Sequence, residues 1–318
     1  MIKMITTRVL QALPLLIIIS FFVFLLIHFA PFDAVDSITK PNMSETTVNA
    51  LKARYGLDQP FFTQYVLWIK NIFEGNFGHS IVTQRDIGTQ LAIRIPRTIS
   101  IVLPAYLISM LLAIVLGMKA GTNQGKWIDK LIDSVSAIGL ATPSFWVAML
   151  LIYFVGYRLN LLPIFGMHTL GMEHSMVDYI KHAIMPVMVL TFVYFPDQAR
   201  YVRSSTISQL SYDYVQVQKA FGATQRELMY HHVLKNVLMP IVTQVGISLP
   251  MLITGAIITE SVFSWPGVGP YLINATSGLD YPVVMAVMLI SAFLVIVGNL
   301  LSDILYMLVD PRIRQDIG

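Results

Sequence analysis

The sequence predicts an all-helical protein that crosses a membrane six times. Of its 318 residues, 55% are hydrophobic and only 12% are charged, about half the charged fraction of a typical soluble chain. Six apolar runs can be read as helices across a hydrocarbon layer of about 30 Å. Lys and Arg concentrate in alternate connections between these runs, as the positive-inside rule expects of cytoplasmic loops.

The first span is predicted from Val9 to Ala30 and follows a basic start. Its apolar stretch is too long for a signal peptide and lacks a small-residue cleavage pattern, so we expect it to be retained. Residues 1–31 are therefore a cytoplasmic N-terminus with the first helix. Residues 32–98 form an extracytoplasmic segment, with helix-like pieces at Glu45 to Tyr55 and Phe61 to Phe73.

Five further spans form the predicted membrane core, residues 99–309. Their expected bounds are Ile99 to Met118, Leu131 to Tyr157, Ala183 to Phe195, Pro240 to Val262, and Val283 to Val309. Pro143 predicts a kink in the third of these six spans, because proline removes a helix hydrogen bond. The fourth span is expected to continue into the cytoplasm as a polar helix. Residues 310–318 form a cytoplasmic tail, which places both termini inside.

A polar stretch from Tyr214 to Pro240 separates two apolar runs and belongs to neither. It predicts a helix from Asp213 to Phe221, a break at Gly222, and a second helix opened by Thr224 and Glu227 in capping-box spacing. Apolar residues at Leu228, Val233, Leu234 and Leu238 would let the second helix pack on a neighbour. We interpret this helix–turn–helix as a docking element for a soluble partner, with an amphipathic hairpin on the inner leaflet as the alternative.

Several functions are disfavoured by the residues present. The chain has no cysteine, and it has no Gly-x-Ser-x-Gly, His-Glu-x-x-His or Gly-x-x-x-x-Gly-Lys pattern, so we expect neither a bound metal nor ATP hydrolysis by the chain itself. The net charge of +3 lies at the ends of the spans, which favours membrane topology over nucleic-acid binding.

Polar residues inside predicted spans are candidates for a transport path, because a charge near the bilayer centre is costly. They are His28, Asp133, Glu260, Asn299 and Asp303. His28 is expected at the outer interface, and Asp133 and Asp303 at cytoplasmic ends. Glu260 either lines or braces a path or caps the irregular segment that follows it, which includes Trp265.

The polar stretch resembles the coupling loop of ATP-binding-cassette (ABC) importer permeases, in the branch that imports oligopeptides, dipeptides and nickel chelates. The matching residues are Asp213-Tyr214-Val215, Ala220, Gly222, His232, Leu234-Lys235-Asn236 and Pro240. Matches elsewhere are Pro143-Ser144-Phe145-Trp146, Glu260, Phe263-Ser264-Trp265-Pro266-Gly267, Asn299, Asp303, Tyr306 and Asp310-Pro311-Arg312. The long first outer segment is similar to that of the "B"-type permease of this branch.

This resemblance implies a type I importer permease fold, a second homologous permease, two ABC ATPases that bind ATP and Mg, and an extracytoplasmic peptide-binding protein. It places the coupling loop at 204–237. The implied ATPase-coupling residues are Tyr214, Gln216, Val217, Gln218, Ala220, Gly222 and Glu227, and the candidate path or gate residues are Glu260, Trp265 and Asn299. The glutamate and two alanines of the general loop fall on Gln216, Val217 and Gln218, so none of the three is kept.

The expected location is a bacterial cytoplasmic membrane, and the expected cargo is a peptide. A nickel or metal-chelate importer of the same class remains an alternative. The alternative outside the class is a secondary transporter that works alone on an ion gradient. Such a transporter is expected to contain buried charge pairs at mid-span.

Overall fold

The computed structural model describes residues 2–29, 43–54, 56, 58–238, 241 and 256–309. The helices in these ranges are α1 Ile2–His28, α2 Glu45–Arg54, α3 Phe61–Phe73, α4 Ile87–Thr122, α5 Trp127–Ala141, α6 Ser144–Leu151, α7 Met176–Leu210, α8 Asp213–Ala220, α9 Gln225–Glu227, α10 Ile257–Val262, α11 Val268–Ser277 and α12 Tyr281–Val309. Two π-helical stretches, Ile152–Arg158 and Leu228–Val233, continue α6 and α9. The all-helical class is confirmed for the described residues.

Among the described residues, four helices are long and apolar enough to cross a membrane, and a bent pair makes a possible fifth. The four are Leu10–His28, Ile87–Thr122, Met176–Leu210 and Tyr281–Leu301. The expected span from Pro240 to Val262 lies largely outside the described residues, as do residues 310–318. The total of six spans therefore stays a prediction.

The predicted second and fourth spans belong to longer helices than the sequence suggested. Helix α4 begins at Ile87, inside the expected extracytoplasmic segment, where Asp86 Oδ1 accepts a hydrogen bond from the backbone N of Thr89 at 2.7 Å. Helix α7 runs for 35 residues through Pro186 and Pro196. It confirms that the fourth span continues as a polar helix.

The predicted kink at Pro143 is a complete break between two helices. Helix α5 and the Ser144–Arg158 stretch meet at 100°. Thr142 has ψ 123° and Pro143 has ψ 134°, because the residue before a proline is pushed toward extended backbone. Two successive extended residues redirect the chain, and the carbonyl of Pro143 then accepts from the backbone N of Trp146 to start α6. The predicted position of the kink was right, but the predicted size of the bend was too small.

The chain divides into two compact units, Met1–Arg97 with Pro266–Val297 and Thr98–Trp265 with Gly298–Gly318. In the first unit, α3 packs on α1 through aromatic rings, and the hydroxyl of Tyr65 lies 2.9 Å from that of Ser20. The His28 ring contacts the Phe61 ring at a centroid distance of 4.8 Å. Asp280 also fixes the turn after α3, since it accepts hydrogen bonds from Ser80 Oγ and from the backbone N of Ile81.

In the second unit, α7 packs against glycine positions on α4 and α5. A Cβ atom on Gly117 would lie 2.8 Å from the carbonyl oxygen of Ala199, and one on Gly121 would lie 2.7 Å from Cβ of Thr206. A Cβ atom on Gly139 of α5 would lie 2.5 Å from Cγ of Pro196. Gly117 and Gly121 have the Gly-x-x-x-Gly spacing that lets membrane helices approach closely.

We predict that Gly121→Ala destabilises the protein, because the added methyl group overlaps backbone and β-carbon atoms that cannot rotate away. Overpacking of this kind costs about 1–3 kcal/mol. Thermal unfolding of the purified protein in detergent measures the effect. Gly88→Ala, in the same helix, is the matched control because its Cβ would meet nothing closer than 3.5 Å. Equal melting temperatures for the two variants would contradict the prediction.

Candidate functional site

The polar stretch folds as the predicted helix–turn–helix. Helix α8 ends at Ala220, one residue earlier than expected, and the second helix continues from α9 through residue 238. Gly222 between them has φ +83°, in the left-handed region where glycine is favoured. The backbone N of Gly222 donates to the carbonyl of Lys219, and that of Ala223 to the carbonyl of Gln218. These bonds end α8 and reverse the chain.

Thr224 and Glu227 form the predicted capping box. The carboxylate of Glu227 accepts hydrogen bonds from the backbone N of Thr224 at 2.9 Å and from its hydroxyl at 2.8 Å. The hydroxyl in turn accepts from the backbone N of Glu227 at 3.3 Å. The bond from the Thr224 N–H is the main reason that the pKa of Glu227 is lowered. Both ends of the box therefore fix the start of the second helix.

An apolar base holds this helix–turn–helix against α7. Val215, Leu228, Val233 and Val237 are completely buried and form one cluster with Val202 of α7. The predicted contacts of Leu228 and Val233 are thus confirmed, and Leu234 and Leu238 are half-buried. The segment is a folded part of the second unit.

Tyr214 braces the segment from within. Its hydroxyl donates to Oε1 of Gln209 at the end of α7 and accepts from Nδ2 of Asn236 in the second helix. The phenol therefore links three successive helical pieces. This geometry makes Tyr214 a positioning group, half-buried beneath the surface that the other expected coupling residues occupy.

The remaining expected coupling residues lie near the outside of the segment. Gln216, Val217, Ala220, Gly222 and Glu227 are exposed, and Gln218 is half-buried. Phe221, which the sequence analysis did not single out, is 84% exposed beside the turn. The sequence did contain a signal for Phe221, because an aromatic residue directly precedes the turn glycine in a polar stretch. We define the α8 surface as Gln216, Val217, Ala220, Phe221 and Gly222.

The structure brings Glu260 and Trp265 together, and Asn299 lies on α12. Both Glu260 and Trp265 are completely buried, and the backbone N of Trp265 donates to the carbonyl of Glu260 at 2.8 Å. The Trp265 ring contacts that of Tyr179 at 5.6 Å. Asn299 has an exposed side chain on α12, and the side chain of Asp303 lies outside the part that the structure describes.

Among the described residues, no group of three His, Asp or Glu side chains could hold a metal ion. The residues brought together in the segment 213–238 offer a shaped, partly apolar surface instead. Their chemistry suits contact with another protein.

The chain matches two family descriptions that together cover nearly all of it. Residues 109–315 match the "Binding-protein-dependent transport system inner membrane component" and residues 1–102 match the N-terminal part of the membrane component of the same systems. The chain therefore belongs to the family of membrane components of binding-protein-dependent transport systems, and it is a multi-pass membrane protein.

Individual relatives align over almost their full length. The chain is 35% identical to the oligopeptide transport system permease protein AppB of Bacillus subtilis, over 96% of this chain and 98% of the relative. It is 30% identical to the probable D,D-dipeptide transport system permease protein DdpB of Escherichia coli, over 93% of this chain and 92% of the relative. A putative peptide permease of Brucella suis is 33% identical over 96% of this chain and 97% of the relative.

We predict that Thr224→Ala loosens the second helix, because the backbone N–H of Glu227 loses its acceptor. Amide hydrogen exchange across residues 225–238, corrected for intrinsic rates, should accelerate on the order of fivefold at pH 7. Lys235→Gln, an exposed change in the same helix, should leave exchange as it is in the unmodified protein.

The effect of Thr224→Ala should depend on pH. A carboxyl group with a lowered folded-state pKa contributes stability above its unfolded value of about 4.3, and this is lost as the pH falls through the folded value. Thr224→Ala removes the hydroxyl that also donates to this carboxylate, and that hydroxyl is the second cause of the lowered Glu227 pKa. The part of the gap between Thr224→Ala and the unmodified protein that comes from this bond should therefore shrink as the pH falls below the unfolded value. A gap that stays constant down to complete protonation of Glu227 would show that the bond between the hydroxyl and the carboxylate contributes nothing to the start of the helix.

Proposed function

We propose that this chain is the permease subunit of an ATP-driven ABC importer for oligopeptides or dipeptides, and that it forms half of the translocation path. Family membership and the names of the relatives support the peptide class. The observation that carries the proposal is the folded segment 213–238, which sets an exposed surface on an apolar base shared with α7.

A force applied to the α8 surface has a short route into α7. Val215 lies beneath this surface, is completely buried, and shares a cluster with Val202 of α7. Protein interiors are close-packed and have low compressibility, so displacement of one member is passed to the next. A partner that moves α8 therefore moves α7, which suits a subunit that receives work from another protein.

In this proposal one ABC ATPase docks on the α8 surface. The complex contains two such ATPases, which bind ATP and Mg and hydrolyse the nucleotide. The chain itself binds neither. A second homologous permease completes the path, and an extracytoplasmic binding protein delivers the peptide. Exposed Lys219 and Arg226 in the docking segment support a cytoplasmic position for it, with both termini on the same side of a bacterial cytoplasmic membrane.

For the path itself, we assign bracing roles to Glu260 and Trp265. Their complete burial and the backbone bond between them hold the turn that separates α10 from α11. Asn299, exposed on α12, stays a candidate path residue.

The proposal is tested with the chain, its partner permease, the ATPases and the binding protein reconstituted in vesicles. We expect uptake of tri- to pentapeptides only when ATP is supplied to the ATPase side. Excess nickel chelate should not compete with the peptides. Peptide uptake that continues without the ATPases would contradict the proposal and favour a secondary transporter, and competition by nickel would favour a metal-chelate importer.

Substitution of Gly222 by valine should uncouple ATP hydrolysis from uptake while leaving the protein in the membrane. A β-branched residue is strained at φ +83°, so the turn shifts and the α8 surface is presented at a different angle. The readout is the ratio of peptide imported to ATP hydrolysed.

Gly171→Val is the matched control for this change. Gly171 has φ +84° and, like Gly222, nothing within 4 Å of an added Cβ, but it lies in the loop before α7 on the predicted outer side. Its ratio of uptake to hydrolysis should be unchanged. The same loss of coupling in both variants would show that backbone strain, and not the position of the turn, causes the defect.

A further inference from the structure

Asp129 and Arg203 form a two-point ion pair between helices that are far apart in sequence. Nε of Arg203 donates to Oδ1 of Asp129 at 2.5 Å, and Nη2 donates to Oδ2 at 2.8 Å. The backbone N of Gly125 also donates to Oδ2, at 2.9 Å. The Asp129 side chain is 4% exposed and that of Arg203 is 28% exposed. The carboxylate is thus enclosed by groups that hold it in one orientation.

The pair joins the turn between α4 and α5 to the C-terminal part of α7. Gly125 belongs to that turn and Asp129 to the first turn of α5. Arg203 lies ten residues before Asp213, where α8 begins. The contact therefore joins α5 to the part of α7 that leads into the docking segment.

The helices around the pair approach each other closely. A Cβ on Gly121 would lie 2.9 Å from the carbonyl oxygen of Arg203, and one on Gly117 would lie 2.8 Å from Cβ of Val202. Helices resist sliding along each other when side chains of one fit between those of the other. The glycine positions on α4 permit close approach, and apolar side chains of α4, among them Ile114 and Met118, pack on the cluster that contains Val202. The guanidinium fork of Arg203 supplies a directional contact at this place.

Net stabilisation is a poor explanation for this pair. The cost of removing two charges from water offsets most of their attraction, so an apolar pair of the same size often stabilises a protein equally well. What an apolar pair lacks is direction. Two parallel hydrogen bonds fix the distance, the angle and the axial position of the two groups.

We propose that Asp129 and Arg203 are a positioning pair for transport. The pair fixes the axial register of α7 against the α4–α5 turn, so that displacement of α8 carries α4 and α5 together with α7. This inference rests on the proposed ATP-driven coupling, and it names residues through which that coupling passes.

The test uses the reconstituted complex described above and measures peptide uptake and ATP hydrolysis in the same vesicles. Arg203→Lys keeps the charge but replaces the fork by a single point contact. Asp129→Leu combined with Arg203→Met replaces the pair by apolar side chains of similar size. This double variant is expected to fold, because it leaves no buried charge without a partner. Both variants should reach the membrane and hydrolyse ATP. The number of peptides imported per ATP hydrolysed should fall by roughly fivefold or more, because the directional contact is gone.

Arg200→Lys is the matched control, because Arg200 lies one turn earlier on α7 and is exposed. Its uptake per ATP should equal that of the unmodified complex. The inference is overturned if Arg203→Lys or the apolar double variant couples normally, since the pair would then have only a structural role. If the unmodified complex imports peptide without ATP, the proposed function itself fails, which is a distinguishable result.

Discussion

The contact of α7 with three glycines is the constraint on which the second unit depends. Gly117 and Gly121 on α4 and Gly139 on α5 approach α7 so closely that any side chain would overlap it. Because the three positions lie on two helices, α7 is held from two directions. The place where α7 ends is thereby set, and the chain that follows it begins from a fixed point.

The helix–turn–helix after α7 is held at both of its ends. Val215 of α8 and Leu228 of the second helix are buried in the cluster that contains Val202 of α7. The capping box and the left-handed glycine fix the angle between the two helices locally. As a result, the exposed residues of the α8 surface, which include Phe221, lie on a rigid base.

Features that depend on neighbouring residues could be predicted from the sequence, and contacts between distant residues could not. The spacing of Thr224 and Glu227 predicted the capping box, and the run after Phe195 predicted the polar continuation of α7. By contrast, Asp129 and Arg203 are separated by 74 positions, and no local pattern in the sequence pairs them. The break at Pro143 was underestimated because the sequence identifies where a proline lies and not how far the flanking helices can diverge. Phe221 was missed since exposure of an aromatic ring depends on which face of the segment packs.

The length of α7 has a mechanical consequence. At 1.5 Å per residue its 35 residues extend over roughly 50 Å, whereas the hydrocarbon layer is only about 30 Å thick. In the proposed function such a rod serves as a lever arm that moves together with the helices whose glycines contact it. A tilt of about 5° over that length shifts one end relative to the other by about 4 Å, close to the diameter of an extended polypeptide backbone. In the proposed topology, a slight rocking movement at the cytoplasmic surface is therefore amplified at the other side of the bilayer.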